Sequence, residues 1–136
     1  MIMNNKIELL EIINELTVAN IKESLKFYNN YFNFEIVETT GNPINWAKLK
    51  KDNCYIMLES YDEVLYEISN YPKKVSTSNI IKFKYKNKKN VLEIYQKIKN
   101  NNIPLLMEIK ETEYGTIEFG VYDLDKNIII ISSNNI

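Results

Sequence analysis

Histidine is missing from this 136-residue chain, and its thiol content is one residue, Cys54. Without imidazole there can be no Ser-His-Asp or Cys-His nucleophile pair, no imidazole-bound zinc or iron, and no histidine acid–base catalysis. A lone cysteine rules out an intrachain disulfide and a thiolate metal cluster, and points to a reducing compartment. Long apolar runs are also lacking. The opening MIMNNKIELLEIINELTV is broken by Asn5, Lys6, Glu8 and Glu11. It cannot serve as a signal core, and no segment nears the roughly 20 apolar residues that span a bilayer. A soluble cytoplasmic protein is expected. Charge of one sign is scarce too: 17 basic residues stand against 18 acidic ones, a net of −1. That balance gives no global attraction to nucleic acid or to an anionic membrane. The locally basic KFKYKNKK does not change this, because strand alternation turns Phe83 and Tyr85 to the core and leaves no ring for stacking bases. Chemistry in this chain must come from carboxylates, lysines, tyrosines or a bound cofactor.

What is present is a repeated order of elements. Residues 7–18, rich in Ile, Leu and Val, read as a strand. Asn20 is an N-cap with Glu23 as its capping-box partner, and IKESLKFYNNYF places Ile21, Leu25, Tyr28 and Phe32 on one helical stripe. FEIVET (34–39) is a strand, Gly41-Asn42-Pro43 a turn, and NWAKLK (45–50) with CYIMLES (54–60) a hairpin. After a connector holding a short helix, NIIKFKYK (79–86) is an alternating strand and Asn87–Asn90 a polar break. VLEIYQKIKNNN is a helix with Val91, Ile94, Tyr95 and Ile98 inward, and PLLMEIK, GTIEFGVY and NIIIISS are strands. The chain therefore reads as one α+β domain over residues 1–136, built from βαβββ modules 7–60 and 79–133 with connector 61–78. Cys54 shares strand parity with Ile56 and Leu58, which predicts a small buried hydrophobe. Asp123, Asp125 and Asn127 have calcium-loop spacing, but Ile128 and Asn134 stand where Gly and Glu are required, so an Asx turn is expected. Gly115 suits a turn with positive φ.

The stretches LTVANIKESLKFYNNYFNF, WAKLKKDNCYIML and EFGVYDLDKNIIII together resemble the vicinal oxygen chelate superfamily of glyoxalases, bleomycin-resistance proteins and dioxygenases. The first resembles its opening strand and helix with their "Ser-x-x-FY…GF" ending. The second resembles its third and fourth strands. The third resembles its closing "DPDGN" hairpin, with Leu124 for Pro and Lys126 for Gly. The resemblance implies two βαβββ modules whose mixed sheet curls into a cleft, the glyoxalase/bleomycin-resistance fold. The four metal-ligand positions of metal-dependent members fall on Ile13, Met57, Ile80 and Ile130, where the family has His or Gln at the first and third and Glu at the others. None can hold a hard or borderline divalent ion. The resemblance thus implies no metal, no other cofactor, and neither metal-dependent lyase nor dioxygenase activity. The metal-free bleomycin-resistance branch, which binds a bulky drug unaltered in crevices of a two-fold dimer, is similar in this respect.

Four consecutive isoleucines, Ile128–Ile131, mean that both faces of the last strand are covered. Ile129 and Ile131 are expected against the helix, and Ile128 and Ile130 in the cleft, on an apolar floor with Ile13, Met57 and Ile80. Strand parity adds Glu15, Thr17, Trp46, Lys48, Tyr55, Glu59, Lys82, Lys84, Glu118 and Tyr122. The aromatic rings suit a planar ligand, and the glutamates suit a cationic group, yet the balanced charge of the expected lining fits an amphiphilic or zwitterionic ligand better than a strongly basic one. Trp46 fits interface packing equally well. The Glu/Lys set fits cross-strand pairing better than ligand contact. Three functions are therefore open. The first is a homodimeric, metal-free binding protein sequestering an aromatic or amphiphilic small molecule. The second is a degenerate structural or partner-binding module whose cleft has filled. The third is a metal-independent enzyme using a cleft carboxylate as base.

Overall fold

The first helix begins where the sequence asks for it. Asn20 accepts a hydrogen bond from the Glu23 amide at 3.1 Å, and the helix ends at Asn33, which takes a left-handed conformation. In a computed structural model of the chain, which describes residues 7–70 and 80–135, eleven elements follow the repeated order. The first module comprises β1 (Glu15–Val18), α1 (Ile21–Phe32), β2 (Glu35–Thr40), β3 (Trp46–Lys51) and β4 (Cys54–Ser60). A short helix, α2 (Tyr61–Glu67), leaves it. The second comprises β5 (Ile80–Lys84), α3 (Lys88–Asn100), β6 (Leu105–Glu111), β7 (Thr116–Tyr122) and β8 (Ile128–Asn134).

Each module makes one four-stranded mixed sheet, in the orders β1-β4-β3-β2 and β5-β8-β7-β6. The pairs β1–β4 and β5–β8 are parallel, and the rest are antiparallel. Alternation decides which side is dry. Ala47, Leu49, Ile56 and Leu58 of the first sheet and Ile117, Phe119, Ile129 and Ile131 of the second are buried together with Tyr28, Phe32, Val91 and Ile98 of the helices. Phe83 joins the aromatic contacts of this core, edge-on to Phe32 at 5.2 Å. Asp123 ties the modules together. Its carboxylate accepts from the Tyr28 hydroxyl at 2.6 Å, from the amides of Asp125 and Asn127, and from the Asn127 side chain. This is the Asx turn that the sequence called for, and Asp125 Oδ1 in turn receives the Ala19 amide from across the module boundary.

Three expectations need correction. The first strand covers only residues 15–18, not 7–18, because β1 pairs with β4 only at positions 57–60 and nothing among the described residues completes a ladder for residues 7–13. Cys54 is exposed rather than buried: it closes the β3–β4 turn opposite Lys51, beyond the cover of the helix. The second helix starts at Lys88 rather than Val91. Asn87 caps it by accepting from the Asn90 amide at 3.1 Å, so most of the polar break is the helix's solvated first turn. The connector's helix is present as α2, while the expected start of the fifth strand at residue 79 and the rest of the connector, 71–78, lie outside the described residues.

Candidate functional site

The face of the first sheet turned away from α1 carries the residues that alternate with the core. Cross-strand register sets Glu15 beside Met57, Thr17 beside Glu59, Trp46 beside Glu59, Lys48 beside Met57 and Lys50 beside Tyr55. Helix α2 lies over one end of this face. Its cap is Ser60, whose hydroxyl accepts from the Glu63 amide, and its apolar anchor is the buried Val64. Between α2 and the sheet is a cavity of about 300 Å³ lined by Glu15, Thr40, Asn45, Trp46, Glu59, Glu63 and Glu67. That volume sits at the low end for small-molecule sites, which run from roughly 300 Å³ upward. It admits a ring with a short chain.

Among the described residues no lysine lines this cavity, and four carboxyl groups do. Glu59 is only 7% exposed. Burial above all, then a hydrogen bond with Glu67 and the charges of Glu15, Glu67 and Glu63, raise its carboxyl from 4.5 to about 7. A carboxyl group this close to another carboxyl shares a proton with it, because two ionised oxygens at hydrogen-bond range repel. The Asn45 side chain donates to Glu63 at 3.1 Å and holds α2 against the turn before β3. The site is therefore acidic, walled by one indole, and only partly apolar.

The second sheet presents a different face. Lys82 meets Glu118 at 3.2 Å, and the buried Ser132 hydroxyl donates to the same Glu118 oxygen at 2.9 Å. Burial on its own raises the Glu118 carboxyl, but hydrogen bonds from Ser132, Lys82 and Thr116 and the Lys82 charge outweigh it and hold the group below its ordinary range. Ile130 stands opposite Gly120, with its δ-carbon 3.0 Å from where a side-chain carbon on Gly120 would sit. The missing side chain makes room for the isoleucine, which lies 8% exposed in a space that would otherwise be open. This is where the second face of the isoleucine run goes.

The structure brings together some of the sequence-predicted site residues and separates others. Glu15, Trp46 and Glu59 share the cavity. Met57 and Tyr55 lie further along β4 on the same face, and Tyr55, 44% exposed, has the Lys48 ammonium 4.6 Å from its ring centre. Lys82, Glu118, Tyr122 and Ile130 belong to the other sheet. Ile13 precedes β1 and is about half exposed, and Ile80, at the start of β5, is 60% exposed. Of the residues expected on an apolar floor, Met57 lies in the first sheet, Ile80, Ile128 and Ile130 lie in the second, and Ile13 precedes β1. The four positions matched to metal ligands offer only aliphatic groups and one thioether, so they do not fit an ion. Among the described residues no three carboxylate or thiol side chains are placed to enclose one.

Thr40, Asn45, Glu63 and Glu67 complete the cavity but escape strand parity. Two of them lie on α2, and the other two lie at the ends of the β2–β3 turn. The one available signal was the i,i+4 spacing of Glu63 and Glu67 on the helix face beside Val64.

The profile of a glyoxalase-like domain matches residues 11–135. Among solved structures, the chain is similar to a glyoxalase-related enzyme from Fulvimarina pelagi, with 14% identity, 93% of this chain and 89% of the other covered, and a TM-score of 0.77. It is similar also to lactoylglutathione lyase from Agrobacterium tumefaciens, with 17% identity, 93% and 96% coverage, and a TM-score of 0.75. A genomically encoded fosfomycin resistance protein from Listeria monocytogenes shares 18% identity over 95% of each chain, with a TM-score of 0.72. At these identities the likeness is one of fold. No curated protein matches the chain by sequence.

Proposed function

The chain belongs to the glyoxalase-like domain family, within the vicinal oxygen chelate superfamily, and from that premise we propose that it is a metal-free binding protein for a small aromatic or amphiphilic cation. The observation that carries this reading is the cavity under α2, lined by Glu15, Glu59, Glu63 and Glu67 beside Trp46, with no lysine among the described residues of the lining. A protonated amine entering there replaces repulsion among carboxyl groups by charge-assisted hydrogen bonds, and an attached ring rests on the indole. The ligand is held by charge at one end and by apolar contact at the other.

Trp46, the chain's single tryptophan, supplies the assay. Titration with cationic aromatic amines is expected to give saturable changes in its fluorescence, with neutral and anionic isosteres bound at least about tenfold more weakly. Glu59→Gln is expected to remove the part of that preference that grows as pH rises through about 7. A flat response to cations, neutrals and anions alike would sink the proposal.

One observation favours a second reading. A carboxyl group titrating at about 7 beside a cavity is suited to general acid–base chemistry at neutral pH, and Glu59 is such a group. On that reading a carbon or heteroatom acid bound near Trp46 gives its proton to Glu59. Turnover would then rise with pH through about 7 and vanish in Glu59→Gln, whereas pure binding leaves every tested ligand chemically unchanged.

A further inference from the structure

Two lysines expected in the lining stand elsewhere: Lys48 lies 4.6 Å from the Tyr55 ring centre, and Lys82 meets Glu118 at 3.2 Å. The polar groups of the cavity fall into two sets, one at the first turn of α2 and one at its end. Glu63 and Glu67 are an i,i+4 pair on that helix, so they share a face and stand roughly 6 Å apart along its axis. Each has its own partner. Glu67 is hydrogen-bonded to Glu59, and Glu63 accepts from the Asn45 side chain at 3.1 Å. The sheet repeats the division. Trp46 of β3 is paired with Glu59 of β4 on one side and with Thr40 of β2 on the other, about 4.8 Å from each strand. Building on the cation-binding reading above, we propose that the cavity takes a diammonium ion. One ammonium is held by Glu59 and Glu67 and the other by Glu63, with the carbon chain or ring between them resting on Trp46.

The Glu63 set is fixed from several directions. The Thr40 hydroxyl donates to Asn45 Oδ1 at 3.2 Å, which turns the amide nitrogen toward Glu63. An amide nitrogen only donates, so the Glu63 oxygen it meets is an acceptor. The Asn45 backbone is held as well. Its amide donates to the Thr40 carbonyl at 3.0 Å, and its carbonyl accepts from Ser60, the N-cap of α2, at 2.9 Å. Gly41 leaves room for this side chain, since a Cβ there would lie 2.7 Å from Asn45 Oδ1. The other set pairs two carboxyl groups around a shared proton, and Glu15 joins it from β1, acting on Glu59 through its charge. A single ammonium ion can satisfy only one of the two sets. An ion with two, joined by a chain of about four carbons, reaches both, and the helical rise that separates the carboxyl groups selects its length.

The test is calorimetric titration of the full-length chain at neutral pH, with Trp46 fluorescence as a second readout. meta-Xylylenediamine is expected to bind at least about tenfold more tightly than meta-methylbenzylamine, which keeps the ring and replaces one aminomethyl arm by methyl. Among straight-chain diamines from ethane to hexane, affinity is expected to peak at butane or pentane, a result the unaltered chain gives without any variant. Glu63→Gln keeps an acceptor for Asn45 and removes the charge. It should bring the xylylenediamine and its matched monoamine to within about threefold of each other. A diamine bound no more tightly than its monoamine would overturn the two-ended hold while leaving a cation site in place. So would an affinity that climbs steadily with chain length, or a diamine preference that survives Glu63→Gln. A chain that binds neither amine would overturn the cation site as well.

Discussion

Glu59 is held in its protonated form by what surrounds it, and that makes the protein's stability depend on pH with a definite sign. Its folded carboxyl titrates at about 7 against 4.5 for the ordinary group. The folded state therefore binds the proton more tightly. The contribution is fully present below pH 4.5 and is lost as pH rises through about 7, where an ionised group must stay buried among other carboxylates. Denaturant midpoints measured from pH 4 to pH 8 are expected to fall across this window, and Glu59→Gln to flatten the slope and be the more stable form at its upper end. The cation affinity proposed above runs the other way, increasing as Glu59 ionises. A second prediction at this scale concerns Asp123. Tyr28→Phe removes one donor from a 5%-exposed carboxylate and should cost about 1–3 kcal/mol in chemical unfolding. The Tyr28 hydroxyl itself, raised well above its usual pKa by burial and then by the Asp123 charge, stays protonated throughout. A third concerns Gly120. Gly120→Ala presses on the Ile130 δ-carbon and should lose about 1 kcal/mol, and Ile130→Val in the same chain should recover part of it, an interaction that a double-mutant cycle reads directly.

At the scale of elements, both long helices depend on asparagine caps of one kind, Asn20 for α1 and Asn87 for α3. Replacing Asn20 by alanine leaves the Glu23 amide without its acceptor and should cost about 1 kcal/mol of stability, readable as a lower unfolding midpoint with the slope unchanged. Much at this scale was legible beforehand. Ile21, Leu25, Tyr28 and Phe32 lie buried on the stripe their spacing predicts, and the β3–β4 hairpin closes at its expected turn. The errors share a cause. Residues 7–14 have the alternation and apolarity of a strand, but a strand also needs a neighbour with free backbone groups, and pattern does not report one. Cys54 has the parity of a core position, but it lies past the end of the helix that makes that face dry.

For the whole molecule, the two modules repeat in order and topology yet differ in what their faces hold. In the second, Ile130 fills the space over Gly120, and Lys82, Glu118 and Ser132 satisfy one another. In the first, a cavity stays open under α2. Helix α2 is the part that makes the difference, since it brings Glu63 and Glu67 across to Glu15 and Glu59. Loosening it should therefore change the site more than the fold. Val64→Ala is expected to lower the unfolding free energy by about 1–2 kcal/mol and to shift Trp46 emission toward longer wavelength as water reaches the indole.

The amino-acid sequence by itself determined the repeated βαβββ order, the N-cap of α1 at Asn20, the Asx turn at Asp123, and the exclusion of imidazole chemistry and of thiolate metal clusters. Each of these depends on local spacing, capping or the presence of a functional group. Tertiary structure alone decided that the carboxylates of β1, β4 and α2 line one cavity while Glu118 of the second sheet is paired with Lys82. Proximity between elements distant in sequence sets a carboxyl group's desolvation and its charged neighbours, and no periodicity along the chain encodes that.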